Sequence, residues 1–330
     1  MMKLLVKLSQ AQKRRRFKKL AEVALQKYDI GKTNLKFVID TSNVVFRVDT
    51  PTTPYVLRVN SESPTQRWQM MTKAELCWLA ALRRDTDLAV PEPVTASDGE
   101  DVHVVATDAI PDGRIVTMLR WMEGELIGDE PTLDIVSQTG TFMAHLHRHA
   151  DTFVFPEGIT RAHTDWQEKL TYWHVQEDIT STSLSAEDIA LCATASQKML
   201  VDIAQIGTEQ DYGLIHADLH FHNCLLHQGQ VRVIDFADSR FTSYFYDMAV
   251  TLAEVYHYDN YDAFQTAFFD AYTQVRALPD HTLDAVQTFI VARAFDIIEW
   301  IHLDWTSLHQ FPFGPAMKQT AMQRIRDYIS

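Results

Sequence analysis

The sequence predicts an α+β chain in two lobes: a small N-terminal lobe with an antiparallel sheet and one key helix, and a larger, mainly helical C-terminal lobe. Two observations carry this expectation. In the first third, short runs alternate apolar and polar residues and are punctuated by Pro51, Pro54, Pro91, Pro93 and Pro111, as strands joined by turns require. Beyond about Trp121 the texture changes, and apolar residues recur at helical spacing over long segments. The boundary is expected between residues 121 and 122, giving lobes of 1–121 and 122–330.

Taken in order, residues 1–30 read as a basic helical extension, with its helix over about Ala11–Lys27. The alternating stretch Leu35–Asp49 and the run Tyr55–Asn60 read as neighbouring strands. A helix over about Gln66–Arg83 follows, because Trp68, Met71, Trp78, Leu79 and Leu82 recur at helical spacing. Val102–Ala106 and Arg114–Leu119 read as a hairpin closed by the turn signal Pro111-Asp112-Gly113. In the second lobe, helices are expected over about Thr132–His149, Ala186–Ile206, Tyr246–His257, Tyr261–Val275 and Thr282–His302. A strand pair, Cys224–His227 and Gln230–Ile234, interrupts them around Gly229.

The chain of 330 residues is 46% hydrophobic and 22% charged, enough to fill a sizeable core and ordinary for a soluble protein. No stretch approaches the roughly 18 uninterrupted apolar residues that a membrane helix needs. The opening Met1-Met2-Lys3-Leu4-Leu5-Val6-Lys7 is broken by Lys7 and makes a poor secretory signal. Cys77, Cys192 and Cys224 are odd in number and lack a CxxC spacing, which fits a reducing cytoplasm. Net charge is −14, yet residues 1–30 carry +7 and leave −21 to the rest. Such an acidic body disfavours nucleic acid and anionic membrane as partners. The basic run Lys13–Lys19 reads as a solvated helix face.

The chemistry concentrates in Leu214-Ile215-His216-Ala217-Asp218-Leu219-His220-Phe221-His222-Asn223. Twelve residues after Asn223, an apolar strand delivers Asp235-Phe236 into a turn. Asp218, Asn223 and Asp235 offer carboxylate and amide oxygens, the ligands of a hard ion such as Mg2+, which keeps several waters and binds phosphates. Phosphoryl transfer needs such an ion, and it needs a carboxylate to orient the acceptor hydroxyl and take its proton. An Asp followed five residues later by Asn, then Asp-Phe closing a strand, matches the H-R-D-x-x-x-x-N and D-F-G logic of kinases. His216, His220, His222 and His227 find no Cys or Glu at the usual spacing for zinc.

In its His-Ala-Asp-Leu-His form the motif resembles the aminoglycoside-phosphotransferase and choline-kinase-like family of the protein-kinase-like superfamily, nearest to the homoserine-kinase and stress-response branch. Tyr246-Asp247-Met248-Ala249 extends the resemblance to the helix after the loop. The resemblance implies a bilobal protein-kinase-like fold and an enzyme that moves the terminal phosphate of ATP, or of GTP, to an alcohol group. It implies Asp218 as catalytic base, Asn223 and Asp235 as magnesium ligands, and His216 and Asp247 as structural support.

Glu75 shares the apolar face of its helix, which is costly unless a cation meets it. Arg58, alternating inward with Val56, is the nearest candidate. The pair resembles the strand cation and helix Glu with which kinases hold nucleotide phosphates, Arg standing for the usual Lys. No G-x-G-x-x-G occurs; Asp40-Thr41-Ser42-Asn43 stands in its place, with Ser42 and Asn43 as candidates for phosphate contact. Thr117–Gly124 resembles the family's hinge, whose backbone around Leu119 and Trp121 would meet the adenine edge.

The acceptor is expected to be a small molecule with a hydroxyl: an amino alcohol, amino acid or amino sugar. Trp166, Trp173, Trp300 and Trp305, with Asp165, Glu177, Asp178, Glu299 and Asp304 nearby, would together suit an ammonium group. Core tryptophans and a solvated acidic face are the plainer reading of the same residues. A Ser/Thr side chain of a protein is the alternative acceptor.

Overall fold

A computed structural model describes residues 9–175, 184–206, 211–303 and 314–330. Its elements form two compact units, one of residues 1–125, 154–161 and 227–237, the other of residues 126–153, 162–226 and 238–330. The expected α+β class is observed: an antiparallel sheet with helices in the first, and mainly helices in the second.

The first unit opens with α1 (Gln10–Leu25), started by a capping box in which Ser9 and Gln12 satisfy each other's backbone N–H groups. Strands β1 (Asn34–Asp40), β2 (Asn43–Asp49), β3 (Tyr55–Asn60), β4 (His103–Thr107) and β5 (Ile110–Arg120) make one antiparallel sheet in the order β1-β2-β3-β5-β4. Alternation divides its two faces. Phe46, Leu57, Val59 and Met118 join Phe17, Leu20, Ala21 and Ala24 of α1 in one buried cluster. Arg58 and Thr117, on the opposite parity, are left for the other face and bond each other. There α2 (Gln66–Asp85) supplies Glu75 between the buried Ala74 and Leu76. The basic residues of α1 stay at the surface, although Lys13 pairs with Asp40 at 2.7 Å and Arg14 lies 4.1 Å over the Phe37 ring.

Two local expectations need correction. The stretch Leu35–Asp49 is not one strand but two, β1 and β2, folded back at Thr41-Ser42. The four polar residues Asp40-Thr41-Ser42-Asn43 interrupt the alternation at that turn. Pro111-Asp112-Gly113 is not the tip of the β4–β5 hairpin; the chain turns at Asp108-Ala109. The tripeptide instead makes a bulge in β5, where the register slips between Val105 and Thr107 and Gly113 takes φ 72°.

The chain continues through the short β6 (Glu125–Leu126) to α3 (Leu133–Ala150), α4 (Trp166–Val175) and α5 (Ala186–Ile206). Then come β7 (Tyr212–Ile215), β8 (Cys224–His227), β9 (Gln230–Val233) and β10 (Arg240–Ser243). Helices α6 (Tyr244–Val255), α7 (Tyr261–Thr273), α8 (Thr282–Leu303) and α9 (Gly314–Ile329) follow. Within the second unit α3 packs on α7, and α8 packs on α6 and α9. Gly140 permits the first approach, since a Cβ there would collide with the Phe268 carbonyl. Strand β7 pairs with β10, Ile215 opposite Arg240, which leaves the chain after Ile215 at the end of a ladder.

Candidate functional site

In the first unit the Arg58 guanidinium grips Glu75 with both ends of its fork, Nη1 to Oε1 at 2.7 Å and Nη2 to Oε2 at 2.8 Å. Nε donates to Thr117 Oγ1 at 3.3 Å. Both charges are buried, at 8% and 3% exposure, which the bidentate contact makes tolerable. Burial works to lower the Arg58 pKa, but the Glu75 carboxylate outweighs it and the net shift is upward. The Arg58–Glu75 pair is as the sequence anticipated, and Asp235 Oδ1, which the sequence did not place beside it, stands 3.9 Å from Arg58 Nη1.

Asp235 follows β9 on a turn with φ 63°, which presents its half-exposed carboxylate. A non-glycine residue there is strained by about 1–3 kcal/mol and must be held. Phe236 is locked edge-on against Trp78, ring centroids 5.6 Å apart. Arg161, 3% exposed, donates to the Phe236 carbonyl at 3.2 Å and also to those of Ala237 and Met71, tying the turn to α2. Sequence reasoning missed Arg161, because its three partners are backbone oxygens that carry no residue signature.

Ser42 and Asn43 lie at the β1–β2 turn, where the Ser42 carbonyl accepts from Ser61 N–H at 3.0 Å. Leu119 lies in β5 opposite Val56, and Trp121 directly follows the strand. The N–H groups of Arg120 and Trp121 donate to the carbonyls of Glu92 (2.9 Å) and Pro54 (3.1 Å). Arg47 covers the Trp121 ring at 4.5 Å.

In the second unit the loop after β7 carries Asp218 and Asn223. Ala217 has φ 66°, and the fully buried Asp247 of α6 braces it. The two Asp247 oxygens accept from His216 N–H at 3.0 Å and Ala217 N–H at 2.8 Å. His216 in turn receives the Asp218 N–H on Nδ1 at 3.3 Å. Asn223 Nδ2 donates to the Asp218 carbonyl at 2.9 Å and to Oδ2 at 3.1 Å. With its nitrogen held there, the amide presents its oxygen as the atom for a cation.

His220 Nε2 lies 3.2 Å from Asp218 Oδ2. Arg293 of α8 reaches Asp218 Oδ1 at 2.6 Å. Burial pushes the Asp218 carboxyl up, but Arg293 and then His220 outweigh it, and it ends well below the usual carboxylate range. Asp218 is therefore an ionised acceptor of hydrogen bonds.

Two further residues of this unit were misjudged or unseen. His147 is buried, as its place on the apolar face of α3 implies, but packing is only part of its role. Its Nε2 meets Asp247 at 3.1 Å and its Nδ1 meets the Tyr272 hydroxyl at 2.9 Å. Burial lowers its pKa more than Asp247 raises it, so the ring is neutral. Arg293 was readable in principle: it is a lone cation in the apolar run Phe289–Phe295, and such a cation must meet a carboxylate.

The tryptophan and acid set separates. Trp166 and Trp173 are core residues, the first donating to Thr242 Oγ1 at 3.0 Å. Asp165 caps α4 by accepting from Glu168 N–H at 3.0 Å. Glu299 is answered by Lys169 at 2.5 Å, and Trp300 is exposed. Trp305, Glu177, Asp178 and Asp304 lie outside the described residues. Glu254 of α6, remote in sequence, completes a trio with His220 and His222 whose potential ligand atoms lie within 4.8 Å. Three is one short of a closed zinc site, and His220 is already engaged with Asp218.

The profile of the phosphotransferase enzyme family matches residues 35–282, three quarters of the chain, which includes Arg58, Glu75, Asp218, Asn223, Asp235 and Asp247 but not Arg293. The chain belongs to this family. Among its relatives is the amicoumacin kinase of Bacillus subtilis (strain 168), 24% identical over 295 residues, covering 86% of this chain and 84% of that protein. A microcompartment-associated aminopropanol kinase superposes with a TM-score of 0.76 at 27% identity, over 94% of each chain. An amicoumacin kinase solved with AMP-PNP, Ca2+ and Ami gives 0.74 at 20% identity, over 94% of this chain and 93% of that one. The phosphotransferase described here is thus a kinase of the small-molecule type with a protein-kinase-like fold. No helix of its described residues is long and apolar enough to cross a membrane.

Proposed function

We propose that this phosphotransferase moves the terminal phosphate of ATP to a hydroxyl of a small amine-bearing molecule, an amino alcohol, amino acid or amino sugar. The observation that carries the reading is the state of Asp218, ionised and linked side chain to side chain with Asn223 on a loop braced by Asp247. Asp218 receives the acceptor hydroxyl, aligns its oxygen with the phosphorus and takes its proton as the new P–O bond forms and ADP leaves. Arg58, preset by Glu75, holds the nucleotide phosphates. Ser42 and Asn43 cover them, and the backbone near Leu119 and Trp121 lines the base.

The donor set fits magnesium: Asp235 offers a half-exposed carboxylate and Asn223 a free amide oxygen, both hard ligands. When bound, the ion neutralises charge on the phosphates. The rate gain then rests mainly on positioning and electrostatics. The amine in the acceptor is supported by the names of the relatives, not by the tryptophans, two of which are core.

The test is ADP release across a panel of amino alcohols, amino acids, sugars and aminoglycosides. Turnover with one class is expected, and Asp218→Ala should lower it by about three orders of magnitude or more. Phosphorylated protein with no turnover on any small acceptor would select a Ser/Thr protein kinase instead.

A further inference from the structure

The assignment of Asp218 as base leaves open which of its oxygens does the work. An ionised carboxylate has about four lone-pair sites, two on each oxygen. Oδ2 faces two donors, Asn223 Nδ2 at 3.1 Å and His220 Nε2 at 3.2 Å. Oδ1 receives Arg293 Nη2 at 2.6 Å. The site left for a further hydrogen bond is therefore on Oδ1, the oxygen that Arg293 holds.

Arg293 is itself set in a rigid frame. One turn further along α8, Asp296 accepts from Arg240 at 2.8 Å, pairs with Lys169 at 2.7 Å and meets the Tyr246 hydroxyl. Tyr246 directly precedes Asp247 on α6, and α6 packs on α8. The helix that braces the loop backbone and the helix that holds the carboxylate thus form one packed pair. Arg293 is partly buried, its one hydrogen bond goes to Asp218, and the charges near it on α8 are paired around Asp296.

We propose that Arg293 is the positioning residue of the base: by holding Oδ1 it turns the open lone pair of Asp218 toward the acceptor hydroxyl. The proposal rests on the reading of Asp218 as base and deepens it. A lysine ammonium is a compact point charge without a planar fork, so it preserves charge but not orientation.

The experiment measures steady-state kinetics of Arg293→Lys, Arg293→Met and Arg293→Ala in the full chain, using an acceptor found by the panel. Thermal melting and ATP binding serve as controls of folding. A fall in kcat of about 10- to 100-fold is expected in Arg293→Met, with KM for ATP within about threefold of wild type. Arg293→Lys should fall between. Millimolar guanidinium ion should restore part of kcat to Arg293→Ala, while ammonium ion should not. Wild-type kcat in Arg293→Met overturns the proposal. So does a loss that tracks lowered melting temperature and ATP binding and does not respond to guanidinium, because that is a structural role. Asp218→Asn, measured alongside, separates the two readings. If it stays active, the base assignment falls. If it is inactive while Arg293→Met is normal, only the role of Arg293 falls.

Discussion

Each unit of this phosphotransferase sets an arginine against a carboxylate, and the two pairs differ in what they leave unsatisfied. Arg58 and Glu75 meet fork to fork, with Thr117 on a further edge of the guanidinium and Asp235 3.9 Å from it. Arg293 meets Asp218 through one hydrogen bond, and the carboxylate is shared with Asn223 and His220. The first pair is built to keep a cation fixed. The second is built to keep an anion oriented and still open. The difference fits the roles proposed for the two pairs: a charge that holds phosphate must not move, whereas a base must remain available to another group.

Breaking the first pair should have the largest effect on stability. Glu75→Ala strands the buried Arg58 charge and is expected to cost about 3–5 kcal/mol, read from the denaturation midpoint. Replacing both members, Arg58→Met with Glu75→Leu, should restore most of that stability, since apolar residues of similar volume often serve as well in a core. The same double variant should still lose ATP affinity. If it binds ATP like the wild type, Arg58 has no part in holding phosphates.

A smaller loss is expected on the other side of the comparison. Asp247→Asn turns an acceptor of two N–H groups into one that can accept only through its oxygen. The unmet donor should cost about 1–3 kcal/mol, and kcat should fall with it, because Ala217 would lose the contact that holds its strained φ. Wild-type kcat with lowered stability would mean that Asp247 supports the fold and not the loop.

The smallest effect concerns pH. Burial, opposed by Asp247, leaves the folded pKa of His147 below its ordinary value of 6.5. A buried neutral histidine must resist a proton that the unfolded chain accepts. Its contribution is therefore complete above about pH 6.5 and declines as pH falls below it. Melting temperatures at pH 8 and pH 5.5 should differ less in His147→Gln than in the wild type. An unchanged difference would assign the pH slope to other groups.

Why was one arginine pair legible and the other not? Glu75 stood out because it interrupts an apolar helical face, and Arg58 because it alternates inward in a short strand. Both patterns are local. Arg293 also interrupts an apolar helix, but its partner lies 75 residues away on a loop, and nothing near it in the chain names that partner. Separation along the chain also hid Glu254 beside His220 and His222, and Arg161 on the Asp235 turn. The β1–β2 turn and the β5 bulge were missed for a different reason. The polar run Asp40–Asn43 suits a phosphate-covering loop as well as a hairpin turn, and Pro-Asp-Gly suits a bulge as well as a hairpin tip.

By itself the sequence determined the class of the fold and the family, and it named the candidate carriers of the chemistry. Each depends on residue types at short spacing, where helical and strand periods and loop geometry leave little freedom. Tertiary structure alone decided which oxygen of Asp218 is engaged, which cation engages it, and that Trp166 and Trp173 are core. Those outcomes depend on which elements pack together, and packing is settled by the burial of whole faces far apart in the chain, not by any local pattern.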